Sequence, residues 1–426
     1  MKLNVPIRNI IGNYLNNRIL IYETEEGRKT YKITEEVPQG SVLGPVLWNI
    51  MYDAVLRLKL PLECKIIGFA DDIAIVVVAK LKDEIIQICN ESIRIIKNWL
   101  TNVGLQLADH KTEAMLVSSR KKREYMTIKV GKHDITSKTS IKYLGIIIDD
   151  KLNFKEHIKQ SSIKASIICS KLSRLMPNIG GPKQKFRQLL ASISASIILY
   201  GAPVWANALK TKTYSRCIIS IHRLAALRVI SAYRTVSYEA ACVISNMLPI
   251  TLLAIERREI YYHLKNNNTK QRKREIRKDL RIDSLDKWQI HWHMSTKARW
   301  THRLIPILHN WIYRKHGDVD FYITQFLTGH GCFQSYLHKF KLVDNPNCPN
   351  CEGRIEDAEH IFFSCTRFTD DRCDLYNNIN THLTPDNLID TMLIKIENWN
   401  LIKEYCTKLI KDLRKLEKIR IENENP

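Results

Sequence analysis

The chain has 426 residues, with 66 Lys and Arg against 44 Asp and Glu, so its formal net charge is +22. That length favours two or three domains. With 45% hydrophobic and 26% charged residues and few Gly or Pro, the composition excludes a fibrous or wholly disordered protein. The positive excess predicts a polyanionic partner. Apolar runs such as residues 73–79 fall short of the roughly 18 residues that a membrane-spanning helix needs, so no membrane partner is expected.

The predicted elements begin with a hairpin, because two short β-branched runs within residues 66–78 flank a tight acidic turn. A helix with Asp83 as its N-cap should follow and end near Gly104, since apolar residues recur at spacings of three and four. Strand-like segments follow at residues 114–117, 126–130 and 143–148. The first 150 residues are therefore predicted to be α+β.

Beyond Lys151 the patterns are helical, and we place a domain boundary near residue 150. Between Glu256 and Arg281 there are ten Lys or Arg against four acidic residues. This segment is either an exposed helix that contacts nucleic acid or a solvated basic linker. The eleven Cys are mostly scattered singly in apolar surroundings, which indicates reduced thiols and an intracellular chain.

Asp71 and Asp72 lie between two runs of hydrophobic β-formers, where ionised side chains are costly unless they meet cations. Adjacent carboxylates at a hairpin tip are the oxygen ligands that Mg²⁺ prefers. Two such ions can activate a 3′-hydroxyl and stabilise a leaving pyrophosphate. The alternative is a common Asp-rich turn.

Four ordered motifs within about 110 residues surround this pair. Together they resemble the reverse-transcriptase core of non-LTR retrotransposons. The matching residues are Val37, Pro38, Gln39, Gly40, Ser41, Leu43, Gly44 and Pro45 in a PQGSxLGP block, Phe69, Ala70, Asp71 and Asp72 in an F/YxDD block, Gly104, Leu105, Lys111 and Thr112 in a GL…KT block, and Tyr143, Leu144 and Gly145 in a YLG block.

The resemblance implies RNA-templated DNA synthesis by two-metal nucleotidyl transfer, with Mg²⁺ as cofactor. A Gly in the first block permits close backbone approach to a nucleotide. Lys111 either neutralises the leaving pyrophosphate or is an ordinary surface Lys. The implied site residues are Pro38, Gln39 and Gly40 for template and nucleotide, Asp71, Asp72 and Lys111 for catalysis, and Tyr143, Leu144 and Gly145 for the primer grip.

One departure concerns a further metal-binding Asp, which the family carries on a strand ahead of the PQG block. Residues 1–52 contain no Asp. We therefore expect this ligand to lie upstream of Met1 and the chain to be the carboxy-terminal portion of a longer polyprotein. By itself the chain should hold catalytic metals poorly and be inactive.

A second constellation is Cys348-Pro-Asn-Cys351, followed after eight residues by His360 and after four more by Cys365. Three thiolates and one imidazole satisfy tetrahedral Zn²⁺ in a closed structural site. The alternative is a chance spacing. We expect so short a region to need the metal in order to fold. The preceding residues 326–340 resemble the carboxy-terminal Cys/His region of the same retrotransposon class.

The overall arrangement is similar to Pol polyproteins of type-1 insect elements that insert into ribosomal RNA genes. That similarity implies an RNA template, target DNA and dNTPs as partners, a nuclear location, and an endonuclease activity in the parent polyprotein. The implied divisions are a partial fingers and palm region (1–150), a helical thumb and connector (151–255), a basic helical extension (256–330), a zinc-binding region (331–375) and a helical tail (376–426).

Two other classes compete with this interpretation. The chain can be a zinc-stabilised nucleic-acid-binding module whose polymerase site is defunct and which aids target binding by the element's endonuclease. A group II intron maturase or a telomerase-like protein also fits the FADD sequence but fits the terminal Cys/His array less well.

Overall fold

The computed structural model describes residues 4–34, 37–38, 40–265 and 269–424. The chain forms two compact units, Met1–Ile141 and Lys142–Pro426. Its described residues combine small antiparallel sheets with many helices, so the fold is α+β, as predicted. The five finer divisions proposed from the sequence stay predictions.

The first unit carries its elements in antiparallel hairpins and amphipathic helices. Their bounds are α1 Val5–Leu15, β1 Arg18–Thr24, β2 Gly27–Ile33, α2 Gly44–Leu56, β3 Cys64–Phe69, β4 Asp72–Val77, α3 Lys82–Asn102, β5 Thr127–Val130, β6 His133–Thr136 and β7 Ser140–Tyr143, which runs into the second unit.

Helix α3 joins the two small cores of the first unit. Its buried Cys89 and Ile93 pack with strand β5, whereas Ile96 and Leu100 pack with the inner face of α2. The spacing of these four residues is the helical period that the sequence shows. The helix begins at Lys82, one residue before the expected cap, so Asp83 lies in the first turn, where its charge favours the helix dipole.

Strands β3 and β4 form the predicted hairpin, with Phe69 paired to Asp72 and a two-residue loop between them. Helix α2 packs tightly over this hairpin at Gly68, where an added Cβ would lie 3.2 Å from Leu56 Cδ2. A side chain here would require Leu56 to shift by a few tenths of an ångström, so glycine favours the close approach. The packing brings α2 next to the acidic turn.

Two strand predictions were wrong. Residues 114–117 make only an isolated bridge, from Met115 to Lys138. The segment 143–148 is part of a hairpin rather than one strand, because Leu144 and Gly145 both adopt positive φ values of 45° and 82° and reverse the chain.

The second unit is helical apart from its first hairpin. Its elements are β8 Ile146–Asp149, α4 Lys155–Ser173, α5 Gln184–Ile198, α6 Ala202–Trp205, α7 Lys212–Val229, α8 Tyr238–Ser245, α9 Ile250–Lys265, α10 Lys270–Met294, α11 Arg299–Leu304, α12 Leu308–Ile312, α13 Phe321–Thr328, α14 Gln334–Lys339, α15 Ala358–Phe363, α16 Thr369–Ile379, α17 Leu388–Ile394 and α18 Ile396–Glu424.

One continuous hydrophobic cluster runs through this unit and includes the buried indoles of Trp288 and Trp292. Helix α10 is tied to α9 by an ion pair of 2.7 Å between Arg281 and the buried Glu256. Among the described residues no single helix has the length and apolarity to cross a membrane, although two bent helix pairs meet that test together.

The Cys/His segment belongs to this same cluster and is not a free-standing knuckle. Phe362 of α15 is fully buried and stacks on Phe326 at 4.6 Å between ring centroids. The Tyr405 hydroxyl donates to the Phe362 carbonyl over 3.2 Å. Helix α15 therefore has apolar support that the sequence pattern did not reveal.

Candidate functional site

The acidic turn between β3 and β4 has an unusual backbone. Ala70 adopts a φ of 52°, in the left-handed region, which costs a non-glycine residue about 1 kcal/mol. The side chains of Asp71 and Asp72 are exposed, and neither has a salt-bridge partner in the part of the chain that the structure describes. The partial burial assumed from the sequence was therefore wrong, and both carboxylates are open to ligands.

Two aromatic side chains of α2 hold the turn. The Trp48 indole Nε1 donates to the Ala70 carbonyl, and the Tyr52 hydroxyl donates to the Asp71 carbonyl, each over 3.2 Å. The two rings stack at 5.1 Å between centroids. The sequence analysis gave neither residue a role, although their spacing of four on one helix places them on the same face.

The pKa of Tyr52 reflects the negative charge of the site. Burial, together with the negative charges of Asp71 and Asp72, raises the pKa of the Tyr52 phenol to about 12. The phenol therefore stays protonated at neutral pH and remains a donor to the turn.

The PQG block lies directly before α2. The Pro38 carbonyl accepts hydrogen bonds from the Ser41 backbone N–H and from its hydroxyl, at 3.2 and 2.7 Å. The Ser41 hydroxyl oxygen also accepts from the Gly44 N–H at 3.1 Å. Gly40 has a φ of 83° and is exposed. Gln39 lies outside the described residues.

Lys111 ends a 3₁₀ turn, Asp109–Lys111, and its side chain is exposed. Asp109 of that turn is paired with Lys97 at 2.6 Å. No hydrogen bond or ion pair is found for the Lys111 ammonium group among the described residues. Its proposed role with pyrophosphate stays a prediction.

The YLG block forms the turn of the β7–β8 hairpin. The Tyr200 hydroxyl donates to the Leu144 carbonyl over 2.9 Å. A Cβ at Gly145 would lie 2.9 Å from the Tyr200 ring, so the position demands glycine both for space and for its φ. The structure thus gives Tyr143, Leu144 and Gly145 a fixed turn supported by a residue that the sequence analysis missed.

The four Cys/His residues come together as the spacing predicts. The candidate ligand atoms of Cys348, Cys351, His360 and Cys365 all lie within 4.8 Å of one another. The Cys365 Sγ lies 3.8 Å from that of Cys348 and 4.0 Å from that of Cys351. Tetrahedral Zn²⁺ with Zn–S bonds of about 2.3 Å needs sulfur atoms about 3.8 Å apart. The His360 Nε2 is buried and has no hydrogen-bond partner among the described residues, as expected for a ligand atom.

Burial and local hydrogen bonds shift the pKa values of these groups in different directions. Bonds from Thr366 lower the pKa of the Cys351 thiol, whereas burial raises that of Cys348 to about 11 and lowers that of His360. Arg367 forms an ion pair with the buried Glu356, and its guanidinium lies 3.7 Å from the Cys348 sulfur. The donor set and its surroundings are compatible with zinc.

Residues 2–148 match the family model described as reverse transcriptase (RNA-dependent DNA polymerase). This region contains the PQG block, the acidic turn and Lys111. This part of the chain is therefore similar to reverse-transcriptase domains. No solved structure is significantly similar to the chain.

The similarity to curated proteins extends well beyond that domain. The chain is 27% identical to "Retrovirus-related Pol polyprotein from type-1 retrotransposable element R1 2" of Nasonia vitripennis, over 78% of this chain and 85% of the relative. It is also 27% identical to "Putative 115 kDa protein in type-1 retrotransposable element R1DM" of Drosophila melanogaster, over 84% of this chain and 36% of that protein. "Probable RNA-directed DNA polymerase from transposon BS" of the same fly is 24% identical, over 53% of this chain and 26% of its own length.

These similarities confirm the recognition made from the motifs: over most of its length the chain resembles R1-type non-LTR retrotransposon Pol polyproteins. The chain spans only about a third of the longer fly relative.

Proposed function

We propose that the chain is the RNA-directed DNA polymerase portion of a retrotransposon polyprotein, which copies element RNA into DNA at a nicked chromosomal target. The observation that carries the proposal is the pair of exposed carboxylates, Asp71 and Asp72, on a braced hairpin turn inside the reverse-transcriptase domain. RNA template, dNTPs and target DNA are the proposed partners, and the nucleus is the proposed location.

Asp71 and Asp72 would hold Mg²⁺, which supplies activation of the primer 3′-hydroxyl and charge stabilisation of the leaving pyrophosphate. Pro38, Gln39 and Gly40 would position template and nucleotide. Lys111 would neutralise the pyrophosphate as it leaves. The turn formed by residues 143–145 would contact the primer terminus.

The test is primer extension on an RNA template. Because residues 1–52 contain no Asp, we expect residues 1–426 alone not to extend a primer. The same chain preceded by the coding sequence upstream of the Met1 codon, when that sequence supplies a strand-borne Asp, should incorporate dNTPs. Failure of the longer chain on every RNA template would remove the polymerase assignment, and robust extension by residues 1–426 would remove the need for a further carboxylate.

The exposed face of α10 is the proposed track for the nucleic-acid backbone. Arg272 and Arg281 of this helix are paired with acids, at 3.6 and 2.7 Å. Arg274 and Lys278, one helical turn apart, are exposed and have no salt-bridge partner among the described residues. They are available for phosphates.

Binding of RNA or DNA should therefore weaken steeply as salt rises, because each neutralised phosphate releases counterions. Replacing both Arg274 and Lys278 with Gln should reduce the slope of log K against log salt by about 1.4 for single strands and about 1.8 for duplexes. Filter binding between low and physiological salt measures this. The control is Lys121→Gln with Lys122→Gln, two exposed lysines of a loop; equal changes in both pairs would mean that the charge acts without an organised track.

A second candidate function is a zinc-stabilised nucleic-acid-binding module without polymerase activity, which would aid target binding by an endonuclease. The converged Cys348, Cys351, His360 and Cys365 side chains favour this alternative. The upstream-extended chain distinguishes the two, since only the polymerase would extend a primer.

A further inference from the structure

We infer that Trp48 and Tyr52 are positioning residues for the catalytic turn: from α2 they fix the backbone that presents Asp71 and Asp72. The inference rests on the proposed function for the statement that this turn is catalytic. The statement that these two side chains hold the backbone of the turn rests only on the observed geometry.

The loop between β3 and β4 consists of Ala70 and Asp71, and the carbonyl of each is held by a side chain of α2. The left-handed φ of Ala70 is one that alanine rarely adopts without outside support. The two donors supply such support from outside the hairpin.

Close packing at Gly68 brings α2 next to the hairpin. A Cβ at Gly68 would lie 3.5 Å from Tyr52 Cε1 and 3.2 Å from Leu56 Cδ2. The Tyr52 ring therefore lies against bare backbone of β3, and the residue is only 7% exposed. This close packing restricts the movement of the Tyr52 ring and so holds its hydroxyl next to the turn.

The choice of donors also has a chemical consequence. An indole and a protonated phenol bond the main-chain carbonyls and place no cation beside the carboxylates. Asp71 and Asp72 thus keep their oxygen atoms for a metal ion while their backbone is immobilised. Lys or Arg at either position would compete with the metal.

Tyr52→Phe and Trp48→Phe keep aromatic packing but remove the two donors. In residues 1–426, hydrogen–deuterium exchange followed by mass spectrometry should show faster exchange, by about 3- to 10-fold, in peptides covering residues 64–77. Peptides covering α3 should be unchanged. The matched controls are Tyr125→Phe, an exposed phenol, and Trp99→Phe, whose ring packs near Tyr52 without bonding the turn; neither should alter exchange at the turn.

A second measurement uses the upstream-extended chain. Each donor variant should lower the kcat of primer extension by about tenfold or more, with the KM for dNTP nearly unchanged, because the carboxylates are displaced while nucleotide contacts persist. Unchanged exchange at the turn, or an increase spread evenly over the first unit, would overturn the inference. Faster exchange confined to the turn, together with an upstream-extended wild type that extends no primer, would support the positioning and contradict the proposed function instead.

Discussion

Replacing Asp71 with Asn is expected to abolish primer extension on RNA templates, with a loss of at least about 10³-fold. A metal-bound carboxylate supports several kcal/mol of transition-state stabilisation, and about 4 kcal/mol corresponds to that factor. RNA binding should stay the same or tighten slightly, because the change removes a negative charge from a surface that meets phosphates. The measurement pairs single-turnover extension by the upstream-extended chain with a binding assay on the same RNA.

The matched control is Asp53→Asn, the same chemical change on α2. Asp53 is exposed and pairs with Arg57 at 2.6 Å, one helical turn away, a contact that is worth little. Extension should stay within about twofold of wild type. If Asp71→Asn retains activity comparable to that of Asp53→Asn, Asp71 does not belong to the catalytic site.

The hairpin and its acidic tip could be predicted because the information is local. Two short runs of β-branched residues and a two-residue loop specify the pairing of Phe69 with Asp72 without help from the rest of the chain. The Cys348-to-Cys365 array could be predicted for a similar reason, since a CxxC turn and a short helix bring four ligands together within eighteen residues.

The supports of these sites could not be predicted from local patterns. Trp48 reaches the turn only because α2 crosses β3 at Gly68, and that crossing depends on packing between elements about twenty residues apart. Tyr200 lies 56 residues from the Leu144 carbonyl that it bonds. The sequence around an aromatic residue in a helix does not indicate which distant carbonyl it will bond.

The sequence overstated the burial of the acidic turn and understated that of the Cys/His segment, both for the same reason. The carboxylates of Asp71 and Asp72 looked enclosed by hydrophobic strands, yet the short loop leaves them in solvent. The Cys/His segment looked dependent on metal, yet Phe362 inserts into the core of the second unit. The exposure of a side chain depends on which elements pack against each other. The composition of a ten-residue segment does not contain that information.

Cys351→Ser is expected to reduce the zinc content of the purified chain from one ion to near zero, because a hydroxyl is a poor substitute for a thiolate ligand. The exposed Cys373, which lies outside the cluster, provides the control: Cys373→Ser should keep its zinc. Elemental analysis of the two proteins measures the difference.

Zinc affinity should also fall as pH is lowered from 8 to 6. The thiol of Cys348, whose pKa is raised to about 11 by burial, is protonated without metal in this range and must lose its proton to bind. Each proton released on binding lowers the affinity about tenfold per pH unit. The site should therefore empty on acidification, and a metal-competition titration at several pH values would show this.

Loss of the metal should loosen the CPNC loop and spare the helix beside it. The turn around Cys348 and Cys351 is held by few backbone bonds, such as that from Cys348 N to Arg354 O at 2.7 Å, whereas α15 is anchored by Phe362 against Phe326. With chelator, hydrogen exchange should therefore accelerate across residues 346–357 and much less across α15. Co-operative unfolding of the whole of residues 340–370 would show that the metal and not the aromatic packing holds α15. Wild-type protein free of zinc, with the loop already protected, would mean that the four side chains converge without binding a metal.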